Sequence, residues 1–226
     1  MTQEKTTSKR TFFGHPFGLA NLFGMEMWER FSFYGMQAIL TFYIYYSVTV
    51  GGLGYPKEVA YSIVGAYGGL VYLASIMGSW VSDRWFGPAK SLIGAGFIII
   101  IGHLALAVLP GLGGLVVGLV CVAVGAGTLK ASSLTILGDT ENDPRQDAGF
   151  SIYYMGINIG AFFGPILTGF VHRYGGFHWA FALAAIGMFI GLMQYLILHK
   201  YSIGKTGSEV PNPLARKYKI ISAIGI

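Results

Sequence analysis

The chain has 226 residues, of which 54% are apolar and 11% charged, and a formal net charge of +5. A soluble domain carries about a quarter of its residues as charges; with so few here, and a mean hydropathy of +0.58, the composition describes a polytopic membrane protein. One cysteine, Cys121, excludes an intrachain disulfide or dithiol centre, and 34 glycines suit helices that approach closely in a bilayer.

Residues 1–16 read as a polar, basic tail. They lead into a long charged helix rather than a short apolar stretch with a small-residue cleavage site, so they do not read as a removable signal peptide. The first span covers about residues 17–47 and is interrupted by Glu26-Met27-Trp28-Glu29-Arg30-Phe31-Ser32-Phe33-Tyr34. On a helix Glu26 and Arg30 are four apart and Glu29 lies beside both, so the three meet on one face, which Tyr34 extends by a turn. Insertion scales place an acid or arginine at mid-membrane at about +2.5 to 3.5 kcal/mol each, and such charges mark ion or substrate pathways. The alternative is an ion pair that only holds helices together.

A Gly51-Gly52-Leu53-Gly54-Tyr55-Pro56 turn separates this span from a second over residues 59–82, which carries Tyr72, a core or lining residue. It closes in Gly78-Ser79-Trp80-Val81-Ser82-Asp83-Arg84-Trp85-Phe86-Gly87, followed by Pro88 and Lys90. An acid at a helix C-terminus opposes the macrodipole, so Asp83 is expected to meet a cation or another helix's N-terminus. The third span, residues 91–109, holds His103 and ends at Pro110-Gly111. In the fourth, residues 115–137, Lys130 stands alone between Gly125-Ala126-Gly127 and Ser132-Ser133. A lysine this deep needs a carboxylate, a hydrated cavity or a lost proton, Glu26 and Glu29 being the candidate acids; snorkelling to the interface is the alternative. Asp139, Glu141, Asp143 and Asp147 read as a solvated loop that pairs with Arg145 or Arg84.

The fifth span, residues 149–171, presents Gly156, Gly160 and Gly164 as a flat stripe for a close crossing. Pro165 withdraws a hydrogen bond from the Ala161 carbonyl and predicts a bend, while Asn158 must find a partner in the bundle or a substrate. A sixth span covers residues 179–198. Together residues 17–199 form a six-helix bundle, residues 200–215 a polar linker, and residues 216–226 the start of a following helix, as if the chain were the first half of something larger.

Lysine and arginine near the span ends set orientation. Lys5, Lys9, Arg10, Arg84, Lys90, Arg145, Lys200, Lys205, Arg216, Lys217 and Lys219 fall on one side, against Lys57 and Arg173 on the other. Both the N-terminus and the linker are therefore expected in the cytoplasm. Basic residues dispersed over loops and tails argue against nucleic acid as a partner. No Gly-x-x-x-x-Gly-Lys-Ser/Thr loop, nucleophile elbow, zinc spacing or iron–sulfur pattern supports ATP-driven transport or an enzyme.

Four stretches coincide in order and spacing with one family. Glu26-x-x-Glu29-Arg30-Phe31-x-x-Tyr34-Gly35 resembles the first-helix signature of the proton-coupled oligopeptide transporters of the major facilitator superfamily. Gly78 to Lys90 resembles the superfamily loop between helices two and three, Gly125-x-Gly127-x-x-Lys130 the fourth-helix motif, and Tyr153-Tyr154-x-x-Ile157-Asn158-x-Gly160 the fifth. The resemblance covers residues 12–213.

It implies the N-terminal half of an all-α carrier of 12 to 14 helices. Such a carrier imports di- and tripeptides with protons across the cytoplasmic membrane, with no cofactor besides the proton. By motif position Glu26, Glu29 and Arg30 serve proton coupling, and Lys130 pairs with them or with the peptide carboxylate. Tyr34, Gln37, Tyr72 and Asn158 line the peptide site, and Gly78, Asp83, Arg84 and Gly87 form the conformational loop. The charged residues, with Tyr34, would face the cavity shared with a missing C-terminal bundle. Two positions depart from the family: Gln37 replaces a common arginine, and Ala131-Ser132 replace Pro-Asn after the lysine. These departures leave room for another small solute as cargo. A non-transporting membrane component that binds a partner or peptide is a further alternative.

Overall fold

The computed structural model describes residues 11–140, 146–204 and 206–213, and it is almost entirely helical. Six long helices stand where six spans are expected: α1 (Phe17–Tyr45), α2 (Lys57–Val81), α3 (Pro88–Val108), α4 (Gly111–Thr140), α5 (Gln146–Gly175) and α6 (Phe177–Ser202). Each exceeds the roughly 20 residues that cross a bilayer. Helices α2 to α6 are also apolar enough to do so by composition. Glu26, Glu29 and Arg30 set α1 apart from them.

The punctuation is local chemistry. Pro56 precedes α2 and Pro88 occupies the first turn of α3, where a missing N–H leaves no bond unmade. Gly87 and Gly176 turn the chain at φ +80° and +83°, which a side chain resists. Ser82–Phe86 extends α2 by one wide turn, closed by the Gly87 N–H on the Ser82 carbonyl at 2.9 Å. Helix α5 runs unbroken through Pro165.

Helix α1 is the hub, packed against α5, α6, α4 and α2, while α3 lies behind α4 and α6. The expected glycine stripe forms the α1–α5 seam: a Cβ on Gly156, Gly160 or Gly164 would lie 2.9, 2.1 or 2.4 Å from the carbonyl oxygens of Phe23, Met27 or Phe31. Outward, α2 and α5 expose Tyr72, Ile76, Phe162 and Phe170 among other large apolar side chains, a surface that water would not tolerate.

Alternate helix ends gather at opposite poles. At one, α1 begins beside the end of α6, since a Cβ on Gly18 would meet Thr140 and the Ser202 carbonyl. At the other, Val48, Gly51–Leu53, Pro110–Leu112 and His178 line one hollow.

Part of the expected tail is folded. Strands β1 (Thr11–Phe12) and β2 (His15–Pro16) pair antiparallel around Phe13 and Gly14, both at positive φ, as a two-residue hairpin turn requires. The Phe12 ring then rests 5.6 Å from that of Phe23. The tail's residues 1–10, the loop residues Glu141, Asp143 and Arg145, Lys205, and the expected helix start at 216–226 with Arg216, Lys217 and Lys219 lie outside the described residues.

Candidate functional site

The three charges of α1 meet as their spacing predicts. The Arg30 Nε is bonded to Glu29 Oε2 and lies 3.5 Å from Glu26 Oε1. Glu26 and Glu29 are fully buried and Arg30 is only 7% exposed. Phe33 and Tyr34 carry the guanidinium over their rings at 4.9 and 5.8 Å, an attraction of about 0.5–2 kcal/mol each.

The second oxygen of Glu26 accepts a hydrogen bond from the Tyr153 hydroxyl of α5 at 2.7 Å. That hydroxyl also lies 3.0 Å from Ser133 Oγ of α4. Among the described residues Glu29 Oε1 has no hydrogen-bond partner. The cluster thus sets two carboxylates against one guanidinium, sealed between α1, α4 and α5. This corrects the expectation that these charges face an open cavity: Tyr153 and the glycine seam close α5 over them.

Lys130 lies elsewhere. Gly127 abuts Ala74 and Ser75 of α2, where a Cβ would come within 2.5 Å of the Ser75 nitrogen. Three residues on, the same face of α4 carries Lys130 into an open cavity of about 570 Å³. Ser75, Ser79, Asp83, Arg84 and Asn212 also line it. Lys130 is exposed there and makes no ion pair among the described residues. No direct ion pair joins Lys130 to Glu26 or Glu29 among the described residues, although Lys130 stays within electrostatic reach of Glu29. A cavity takes the place of a carboxylate.

Gly78 serves that crossing too, since a Cβ on it would sit 2.4 Å from Thr128 Oγ1. At the turn after α2, the Asp83 carbonyl accepts the Asn212 N–H at 2.9 Å and Arg84 Nη1 donates to the Asn212 carbonyl at 3.4 Å. The Ala89 N–H bonds the Gly207 carbonyl at 2.9 Å, and Gly87 leaves room for the backbone of Glu209. Residues 206–213 are thus strapped beneath the α2–α3 turn. The Asp83 carboxylate makes no ion pair among the described residues, so the cation expected beside it is not there.

The remaining expected substrate residues are dispersed. Tyr34 belongs to the charge cluster, Gln37 lies partly buried one turn beyond it, and Tyr72 is 75% exposed on α2. Asn158 is exposed on α5, where its Nδ2 donates to the Tyr154 carbonyl of its own helix at 3.1 Å. Of these residues only Lys130 lines the cavity beside Asp83. No group of three or more metal-ligating side chains occurs among the described residues.

Two polar contacts escape the sequence reading. Tyr153 stands inside a quoted motif, yet nothing in that motif points it at Glu26. Asn21 of α1 donates to the Tyr195 carbonyl and to Ser202 Oγ, and Gln194 donates back to Asn21 Oδ1 at 2.8 Å. Two amides in apolar spans are the signal for that clamp, since each must find a partner in lipid.

The model of the POT family matches residues 90–226. The chain is 42% identical over 221 residues to the di-/tripeptide transporter of Lactococcus lactis subsp. cremoris, covering 96% of this chain and 44% of that protein. It is 43% identical over 224 residues to the uncharacterized transporter YclF of Bacillus subtilis, covering 98% and 46%. Among solved structures, the peptide transporter POT in complex with sulfate superposes with a TM-score of 0.92 at 46% identity, covering 96% of this chain and 44% of that one. The chain spans less than half the length of these relatives. Helices of this length and hydropathy, in a relative of transporters, make it a multi-pass membrane protein.

Proposed function

The chain belongs to the POT family, and we propose that it supplies the N-terminal six-helix bundle of a symporter carrying di- and tripeptides with protons across the cytoplasmic membrane. The observation that carries this reading is the buried cluster of α1, where two acids share one guanidinium. With both acids ionised the cluster is one charge short of neutral, and an uncompensated buried charge costs about 3–5 kcal/mol. One bound proton removes that deficit. Because α1 touches α2, α4, α5 and α6, a change in its ion pairing reaches every helix of the bundle that a carrier must reposition.

Lys130, beside Arg84 in the open cavity, offers a cation for the peptide's carboxylate. Tyr34, Gln37, Tyr72 and Asn158 complete the peptide contacts as a second bundle closes the opposite wall. The proton is the coupling ion, and no cofactor takes part. The pole that gathers the β1–β2 hairpin, the α2–α3 turn and the end of α6 carries Arg84, Lys90 and Lys200, and Lys57 and Arg173 lie at the other. The excess of basic residues supports a cytoplasmic location for the first pole.

Labelled dipeptide uptake into proteoliposomes by the full-length protein tests the reading. The parent accumulates dipeptide saturably under an inward proton gradient. Glu29→Gln loses this accumulation yet retains counterflow, which needs no net proton movement. If Glu29→Gln concentrates dipeptide like the parent, Glu29 has no part in coupling. If di- and tripeptides fail to compete for uptake of another solute, the cargo is that solute.

A further inference from the structure

The reading above leaves open which side chains register the proton, and the contacts of Glu26 supply an answer that rests on it. A phenol carries one proton, so Tyr153 cannot donate to Glu26 at 2.7 Å and to Ser133 at 3.0 Å at once. The two contacts are alternatives with opposite direction. With Glu26 ionised, Tyr153 donates to the carboxylate and accepts from Ser133. With Glu26 protonated, the new O–H donates to the Tyr153 oxygen, Tyr153 donates to Ser133 Oγ, and the Ser133 hydroxyl turns to a carbonyl one turn back on α4, as helical serines do. One proton enters from water and every hydroxyl keeps one acceptor.

Glu29 has no such outlet. Among the described residues its oxygen Oε1 lacks a hydrogen-bond partner, as Glu26 Oε1 does, but its other oxygen is bonded to Arg30 where that of Glu26 meets Tyr153. A proton there would leave a buried guanidinium without its nearest counter-ion, which is costly. We propose that Tyr153 and Ser133 form a reversible hydrogen-bond chain that reverses direction when Glu26 takes the proton, tying α1 to α5 and α4 in both states.

The groups facing Glu26 are few. Helix α1 brings Glu29 and Arg30, α5 brings Tyr153, and α4 brings Ser133, with Lys130 within electrostatic reach of Glu29 while lining the open cavity. Beyond this first ring, α2 sets the buried Tyr67 hydroxyl, unpartnered among the described residues, within electrostatic reach of Glu29 and Arg30, and α6 brings Gln194 and Tyr195 to Asn21, a turn before Glu26.

Infrared difference spectra of the purified full-length protein, taken between neutral and acidic pH without peptide, test the chain. In the parent, a protonated carboxyl band lost in Glu26→Gln rises together with a tyrosine mode lost in Tyr153→Phe. The tyrosine mode is absent from the Glu26→Gln spectrum and displaced in Ser133→Ala. In proteoliposomes, Tyr153→Phe lowers the ratio of gradient-driven uptake to counterflow by about tenfold, the weight of one charge-assisted hydrogen bond. A tyrosine mode that persists in Glu26→Gln, or a carboxyl band unmoved by both Tyr153→Phe and Ser133→Ala, overturns the proposal. Should Tyr153→Phe fail to fold, the displaced mode in Ser133→Ala decides the matter alone. Since the spectra need no transport, a parent that carries no peptide refutes the cargo and leaves this test standing.

Discussion

The α1–α5 seam makes a graded prediction. A Cβ on Gly160 would lie 2.1 Å from the Met27 carbonyl oxygen, while on Gly164 it would lie 2.4 Å from that of Phe31, and on Gly156 2.9 Å from that of Phe23. Side-chain carbons do not approach closer than 3.0 Å, so Gly160→Ala drives α5 back by about 1 Å against backbone that cannot rotate aside. Overpacking of this kind costs about 1–3 kcal/mol, and alanine returns about 1 kcal/mol of helix propensity. With strain at the upper end, the net loss is about 2 kcal/mol. At about 2–4 °C per kcal/mol, melting of the purified protein falls by about 4–8 °C.

The same retreat reaches the charge cluster. Tyr153 lies two turns before Gly160, and its bond to Glu26 would open from 2.7 Å to about 3.7 Å, past the range of a hydrogen bond. Gly164→Ala should follow with a smaller loss and Gly156→Ala with least. Gly169, on the same helix, has open space around it, so Gly169→Ala should hold or raise the melting temperature. The assay is scanning fluorimetry in detergent, paired with gradient-driven uptake. Four variants with one melting temperature, or Gly160→Ala with parental stability and uptake, would refute the close crossing.

Orientation is checked by cysteine labelling after Cys121→Ser. Gly113→Cys has open space and should react with an impermeant reagent from outside, whereas Gly138→Cys, at the other end of α4, should react only from the cytoplasm; the reverse pattern inverts the topology. At position 37, arginine offers a carboxylate two parallel bonds that an amide cannot. Gln37→Arg should therefore tighten peptides with a free C-terminus more than amidated ones in competition assays, and equal effects would place position 37 away from that terminus.

The fold was legible because lipid admits few solutions. Apolar runs of bilayer length, broken by Gly87-Pro88, Pro110-Gly111 and Gly175-Gly176, allow little besides helices. The i, i+3, i+4 spacing of Glu26, Glu29 and Arg30 was enough to bring them together, because one helix fixes their geometry. Partnership between helices was harder to read. The acids inside the spans are the natural match for Lys130, yet Gly127 packed against α2 brings it to the edge of an open cavity, within electrostatic reach of Glu29 but in no ion pair with it. Tyr153 is equally hard to read from sequence, since the rotation of α5 that aims it at Glu26 follows from three glycines packed on α1. The hairpin at residues 11–16 was hidden within a tail whose composition reads as solvated.

The strap beneath the α2–α3 turn changes where mechanical load enters the bundle. Helix α6 ends at Ser202, but Asn212 is fastened to Asp83 and Arg84. Tension on the chain beyond Pro213 would meet these bonds before it could unwind α6. The point of pull lies under α2, which shares the Lys130 cavity with α4. A tether fixed there acts on a lever: a displacement of the strap is delivered to the α2–α3 turn, and the last turn of α6 is left unloaded.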